Sequence, residues 1–520
     1  MRHKFVCCLL LLLSLAANGA AATETVRWFA AGRPTAQADQ AVQFLLSASR
    51  DGLDPGDYEA VPLQRRLTQA MQGPVLGEAA QARLDAALTA ALQRYLSDLR
   101  SGRIDPRQIR VKFHSPGRAV PDDAALRQAL AEQRLIEFVQ QAAAPLPMYA
   151  GLQEALARYR DLATHPAWQQ SLPPLPGHKL VAGQAYAGLP LLAQRLQALG
   201  DLAPGSTLPA QLEGALLSAL KVFQARHGLM PDGVLGRDTL QQLDTPPAAR
   251  VRQIELAMER LRWTPFMQRP RMIVVNLPEF VLRAYEVRDG KIDVKLTMRV
   301  VVGKALDTRT PMFDEDMRFI EFSPYWNVPS SIARKELVPH LKRDPGYFER
   351  DGFEFVSASG QAVRTLSSEN LQAVLTGDWR IRQRPGPWNS MGDIKFVFPN
   401  NDNIYLHYTS QQQLFDQARR DFSHGCVRVE DPLALAQFVL QDEPDWTEER
   451  IRQAMEKGES STLRLAQPLP VLISYSTVIV KLGKVFFYSD LYGHDRLLDQ
   501  ALRQRSAALK QARGSDADSR

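Results

Sequence analysis

The sequence predicts a multidomain α+β protein: a helical N-terminal scaffold, a three-helix module, and a mostly β C-terminal domain with an inserted helical cap. Three observations carry that reading. The 520 residues exceed what one core holds, about 250–300. Apolar residues recur at helical intervals through the first third and at alternate positions from Arg271 onward. At 45% hydrophobic and 23% charged residues the composition is that of a globular chain, which excludes wholesale disorder, a collagen-like repeat and a coiled coil. The net charge of +6 is mild for this length and no dense Lys/Arg run is present, so nucleic acid is not an expected partner.

Residues 1–22 read as a secretory signal peptide. A basic start at Arg2 and Lys4 precedes an apolar run over residues 5–17, and Ala20-Ala21-Ala22 offers a cleavage site. The run is short for a membrane span, which needs about 20 residues; an uncleaved anchor is the alternative. Cys7 and Cys8 precede the leucine run, which does not fit a lipoprotein. Export out of the cytoplasm is therefore expected, and removal of the segment leaves Cys426 as the one thiol, with no internal disulfide.

Residues 23–178 form the expected helical scaffold, with helical spacing over 78–99 and 123–143 and a linker at Pro173-Pro174-Leu175-Pro176-Gly177. Residues 186–245 change pattern. Leu192, Leu196 and Leu199 precede Gly200, a helix stop. Leu216, Leu220 and Phe223 make a second stripe ending at His227-Gly228. A Gly-rich turn from Pro231 to Gly236 then leads to a third short helix. This module resembles the three-helix peptidoglycan-binding domain, which implies affinity for cell-wall glycopeptide. A bundle that merely orients its neighbours is the alternative.

Residues 268–505 read as β-rich. Strands are expected at 272–277, 292–300, 319–322, 394–398, 403–408, 471–480 and 485–488, with Asp289-Gly290 as a hairpin turn. Residues 325–388 are less β-like, with a helix over 335–342, and are expected to fold as a cap. The polar tail 506–520 is expected to be disordered.

The chemistry gathers at two short stretches. In Ile404-Tyr405-Leu406-His407 a strand would turn Tyr405 and His407 to one face and the aliphatic residues to the core. In Ser423-His424-Gly425-Cys426-Val427-Arg428 the glycine permits a tight turn before the cysteine. Asp431 and Pro432 read as the N-cap and first position of a helix, so Cys426 is expected near a positive helix end and near Arg428, both favouring thiolate. His407 suits the role of base.

His407 followed nineteen residues later by Cys426 within Ser-His-Gly-Cys-Val-Arg resembles the signature of L,D-transpeptidases with a YkuD-type catalytic domain. Val302-Gly303-Lys304, Thr310-Pro311, the stretch from Pro324 to Lys335, Arg343-Asp344-Pro345-Gly346-Tyr347 and the stretch from Lys395 to Asn400 are similar to the long Gram-negative form. That form joins a scaffold, a peptidoglycan-binding module and a capped catalytic domain. The resemblance implies cysteine acyl transfer from a tetrapeptide stem to an acceptor amine, with release of D-alanine, and inactivation by carbapenems. It implies Cys426 as nucleophile and His407 as proton carrier, with the Cys426 N–H and Tyr405 hydroxyl facing the oxyanion. Ser423, His424 and Gly425 are candidates for the oxyanion or substrate site, with His424 either tuning the thiolate or holding the loop; Arg428 would meet a substrate carboxylate, the Tyr408 carbonyl would orient His407, and Trp326 and Asn327 would line the cleft or join the core. Where many short members have Gly or Ser after the histidine this chain has Tyr408, and where many have Asn it has Arg428. Peptidoglycan stems and glycan are the implied partners, with other cell-wall synthesis proteins as further candidates. The chemistry needs no cofactor and no metal.

The alternatives are a hydrolase or L,D-carboxypeptidase at the same site, transfer of stems to a lipoprotein lysine, and a wall-binding scaffold with a dormant site. For the cysteine itself, a buried structural thiol and a zinc site with His424 and His407 are the competing readings.

Overall fold

The computed structural model describes residues 28–113, 122–144, 146–264 and 269–518; the expected signal peptide lies outside them. The N-terminal region is helical, built on Ala36–Leu46, Ala60–Gln72, Glu78–Ser101, Asp123–Ala131, Leu135–Ala142 and Pro147–Leu162. Thr35 and Asp122 cap two of these helices by accepting hydrogen bonds from the backbone N–H of Ala38 and Ala125. The helical run expected over 123–143 is broken in two at Gln133, whose φ of 55° lies in the left-handed region. A small hairpin, Phe29–Ala30 with Arg33–Pro34, precedes the helices.

Three short helices follow, Leu189–Ala198, Gly214–Arg226 and Arg237–Asp244, with Gly200 in the left-handed conformation after the first. They share one hydrophobic cluster with the scaffold helices and with Val478, Val485 and Phe487 of a hairpin from the far end of the chain. Arg226 Nη1 donates to the Val485 carbonyl at 2.6 Å. Helix Pro247–Trp263, which the sequence reading did not anticipate, links this module to the β domain.

The β domain contains a nine-stranded sheet that closes on itself. Label β1 Arg271–Asn276, β2 Val281–Arg288, β3 Lys291–Gly303, β4 Phe313–Phe322, β5 Ile394–Val397, β6 Leu406–His407, β7 Val427–Val429 and β8 Ser461–Ser474. The ring runs β3-β7-β6-β5-β4-β8-β1-β2 and returns to β3, with Asp421–Ser423 added at the end of β3. The β2–β3 turn is Asp289-Gly290, both at positive φ (51° and 71°), the geometry of a two-residue hairpin. Alternate residues fill the interior: Ile273, Val275, Val300, Ile320, Phe396, Leu406, Val427 and Val429 belong to one buried cluster. The other phase faces outward.

The insertion after β4 has its own core of Leu341, Phe348, Phe355 and Ile381. It is not purely helical: beside its helices stands a four-stranded sheet of Trp326–Asn327, Trp379–Gln383, Phe353–Ser357 and Ala362–Val363. Its two necks are tied together, the Ser323 N–H donating to the Asp393 carbonyl at 2.7 Å and Asn389 Nδ2 to the Pro324 carbonyl at 2.9 Å.

The helix His494–Asp518 takes in residues 506–518 of the tail expected to be disordered. Leu498 and Leu502 enter the β-domain core, and Arg505 Nη2 reaches the Asp98 carboxylate at 2.7 and 2.9 Å. These contacts all come from the part of the helix that precedes residue 506. Among the described residues no helix is long and apolar enough to cross a membrane.

Candidate active site

The parallel pairing of β6 with β7 sets Leu406 beside Val427 and His407 beside Arg428. One step back along the ladder, the Val427 N–H donates to the Tyr405 carbonyl at 2.9 Å, which sets Tyr405 beside Cys426. Leu406 and Val427 are wholly buried inside the barrel. Tyr405, His407, Cys426 and Arg428 therefore share its outer face, by the period of two that a strand imposes.

His407 is 4% exposed, and its Nδ1 hydrogen-bonds the Tyr408 carbonyl at 2.6 Å. A carbonyl can only accept, so Nδ1 carries the proton and Nε2 is left as the acceptor. Burial, and then the Arg428 charge, push the imidazole down to about 3, so it rests neutral. Tyr408 packs over Gly392, where an added Cβ would lie 2.6 Å from its ring.

Cys426 is half-buried and free, its thiol donating to the Asn403 carbonyl at 3.5 Å. The expected position beside a helix end is not what the fold provides. The helix Pro432–Val439 does form, with Asp431 capping Ala434, but β7 runs between it and the cysteine. Nor is the thiolate favoured at rest: burial pushes the thiol up, against the Tyr405 backbone N–H, Lys395 and Arg428, which pull it down. His424, Cys426 and His407 are each engaged with a different partner, and among the described residues no group of three or more His, Cys, Asp or Glu is placed to hold a metal.

The loop before the cysteine is pinned from several sides. Ser423 Oγ donates to the Cys426 carbonyl at 2.5 Å and accepts from the Gly425 N–H at 3.1 Å, closing a tight turn. Gly425 has φ of 119°, and a Cβ there would meet Ile404 at 3.1 Å. The upstream motif explains itself here. Thr310, fully buried, donates to the Gly425 carbonyl at 2.7 Å and accepts from the Gly303 N–H at 2.9 Å. Gly303 is obligatory, since a Cβ would fall 1.9 Å from the Thr308 carbonyl oxygen.

Arg428 Nη1 donates to Gln411 Oε1 at 2.6 Å, while its buried Nε has no partner among the described residues. Tyr405 donates its hydroxyl to Asn403 Oδ1 at 3.3 Å. His424 Nε2 is hydrogen-bonded to Glu336 Oε1 of the cap at 2.9 Å. Trp326 and Asn327 form an edge strand of the cap, beside Gln383 and Arg382, and Trp326 packs on the cap's own core near Phe353. The structure thus gathers Cys426, Tyr405, His407 and Arg428 and assigns Trp326 and Asn327 to the cap sheet.

The sequence reading passed over Lys395, Glu321 and Glu336. Lys395 had a signal: it is the one charge in the apolar run from Ile394 to Phe398, on the outward phase.

Comparison with known proteins finds matches for each region of the chain. Residues 270–458 match the L,D-transpeptidase catalytic domain (YkuD), residues 20–156 the scaffold domain, and residues 187–243 the domain described as "Putative peptidoglycan binding domain". A Haemophilus influenzae protein named "Putative L,D-transpeptidase" is 32% identical over 281 residues, 53% of this chain and 55% of that protein, so the match spans about half the relative's length. A crystal structure of the L,D-transpeptidase (residues 123–326) from Xylanimonas cellulosilytica is 19% identical, covering 58% of this chain and 100% of that one, with a TM-score of 0.18, too low to equate the folds. The chain carries the catalytic domain of the L,D-transpeptidase (YkuD) family, joined to a scaffold domain and a peptidoglycan-binding domain.

Proposed function

We propose that the protein is a periplasmic peptidoglycan L,D-transpeptidase that works by cysteine acyl transfer. The observation that carries this is the placement of Cys426 and a neutral, carbonyl-oriented His407 on one outer face of paired strands. Nε2 of His407 takes the Cys426 proton as the sulfur attacks the carbonyl of the L-centre of the third stem residue. The tetrahedral oxyanion is met by the Cys426 N–H and the Tyr405 hydroxyl. The C–N bond to the terminal D-alanine breaks, its amine leaves with the proton from His407, and a thioester remains. An acceptor amine then attacks the thioester, restoring the thiol and forming the 3-3 cross-link. Arg428, with its unpartnered Nε, meets a stem carboxylate. Transfer is favoured over hydrolysis by the cap, which reaches the cysteine loop through Glu336 and His424.

Intact-mass spectrometry after incubation with a carbapenem, beside Cys426→Ala, tests the reading. A covalent adduct on the native protein and none on the variant is expected. A folded native protein that neither takes up the drug nor converts tetrapeptide stems overturns it.

A further inference from the structure

Antiparallel pairing of β5 with β6 sets Lys395 beside His407, and pairing of β5 with β4 sets Glu321 beside Lys395. With His407 beside Arg428, this makes one row across four strands on the barrel's outer face: Glu321, Lys395, His407, Arg428. The inward phase of the same strands is the buried Ile320, Phe396, Leu406 and Val427. The Lys395 ammonium is mostly buried, lies 3.0 Å from Glu321 Oε2, and sits 4.0 Å above the centre of the Tyr405 ring.

We propose that Lys395, anchored by Glu321 and laid across Tyr405, is a positioning residue of the acyl-transfer site: it fixes Tyr405 beside Cys426 and favours a net negative reacting centre. The inference rests on the cysteine acyl-transfer reading above.

A cation over an aromatic face holds the ring by its quadrupole, more strongly when partly desolvated. The ring so held carries the hydroxyl next to the thiol. The charge acts as well. Two fixed cations, Lys395 and Arg428, stand on either side of His407. They favour states in which the Cys–His pair is net negative, a thiolate with neutral imidazole or a tetrahedral oxyanion, over imidazolium. Both lower the thiol and both lower His407. The other titratable groups facing the thiol are His407 and Tyr405, while His424 is hydrogen-bonded to Glu336.

The test is the pH dependence of Cys426 alkylation by iodoacetamide, with the site located by peptide mass mapping, in the native protein, Lys395→Met and Lys395→Arg. The midpoint is expected to rise in Lys395→Met, so that alkylation near neutral pH falls about 3–10-fold. Lys395→Arg should restore most of it. With tetrapeptide donors, kcat should fall in Lys395→Met while KM stays near the native value. Lys395→Gln, which removes the charge but keeps a polar side chain, should shift alkylation the same way and stands in if Lys395→Met fails to fold. An unchanged midpoint in folded Lys395→Met or Lys395→Gln overturns the proposal. Because alkylation needs no transpeptidase turnover, this outcome is separate from failure of the carbapenem test.

Discussion

Glu336 of the cap and His424 of the cysteine loop meet at 2.9 Å, across 88 residues of chain. His424 is two residues before Cys426, so the cap grips the loop that holds the nucleophile. Glu336 lies in a π-helical turn, Ala333–Leu337, just inside the neck of the insertion.

Cutting that contact should loosen the cap over the site. The pair is partly exposed, so its own contribution to stability is small, about 0–1 kcal/mol. Glu336→Ala is therefore expected to leave the melting temperature almost unchanged. The share of donor lost to water should rise by up to about fivefold, the factor corresponding to the upper end of that energy. Chromatographic separation of tripeptide from cross-linked product measures the ratio. An unchanged ratio would show that the latch does not guard the thioester.

The pH response follows from His407. Its pKa is held down at about 3 by burial and by Arg428, so the imidazole remains neutral through mildly acidic pH. The free enzyme's activity should stay level between pH 5 and 7, because thiol and imidazole both keep the neutral forms from which proton transfer starts. The same shift bears on stability. The unfolded state binds this proton near pH 6.5 and the folded state only near 3, so stability falls as pH drops through that window. His407→Asn should flatten this part of the acid limb in denaturant titrations; an unaltered limb would argue that the ring is not buried neutral.

Thr310 is the pin beneath the cysteine turn. Thr310→Val keeps the shape but strands the Gly303 N–H and removes the donor to Gly425. Such buried losses cost about 1–3 kcal/mol each in unmet hydrogen bonding. The expected result is a lower melting temperature and a fall in kcat of at least about tenfold, as the thiol drifts from its attack position. Calorimetry and donor kinetics read the two effects separately.

The C-terminal helix should contribute to folding at long range. Arg505 pairs with the buried Asp98, which also accepts from the Tyr58 hydroxyl at 2.9 Å. Arg505→Ala leaves that carboxylate without its cation. A loss of about 1–3 kcal/mol is expected, below the usual 3–5 for a fully buried pair because the arginine is partly exposed. Urea denaturation of the full chain checks it; no loss would mean that Tyr58 alone satisfies Asp98.

Local chemistry made much of the protein legible. Asp289-Gly290 requires two positive φ angles and has them, and Asp431-Pro432 starts a helix as its capping chemistry demands. Alternation decided that Leu406 faces inward and His407 outward, because side-chain direction along a strand depends only on neighbours in sequence. The rest depended on which strands meet. Closure of the barrel puts Glu321, Lys395, His407 and Arg428 in one row, and no periodicity within any one segment encodes that row. The thiol's upward shift, the Glu336 latch and the ordering of the C-terminal helix are likewise long-range effects. Burial and charge at a site are sums over everything packed around it, whereas periodicity, caps and turns are set by a few adjacent residues.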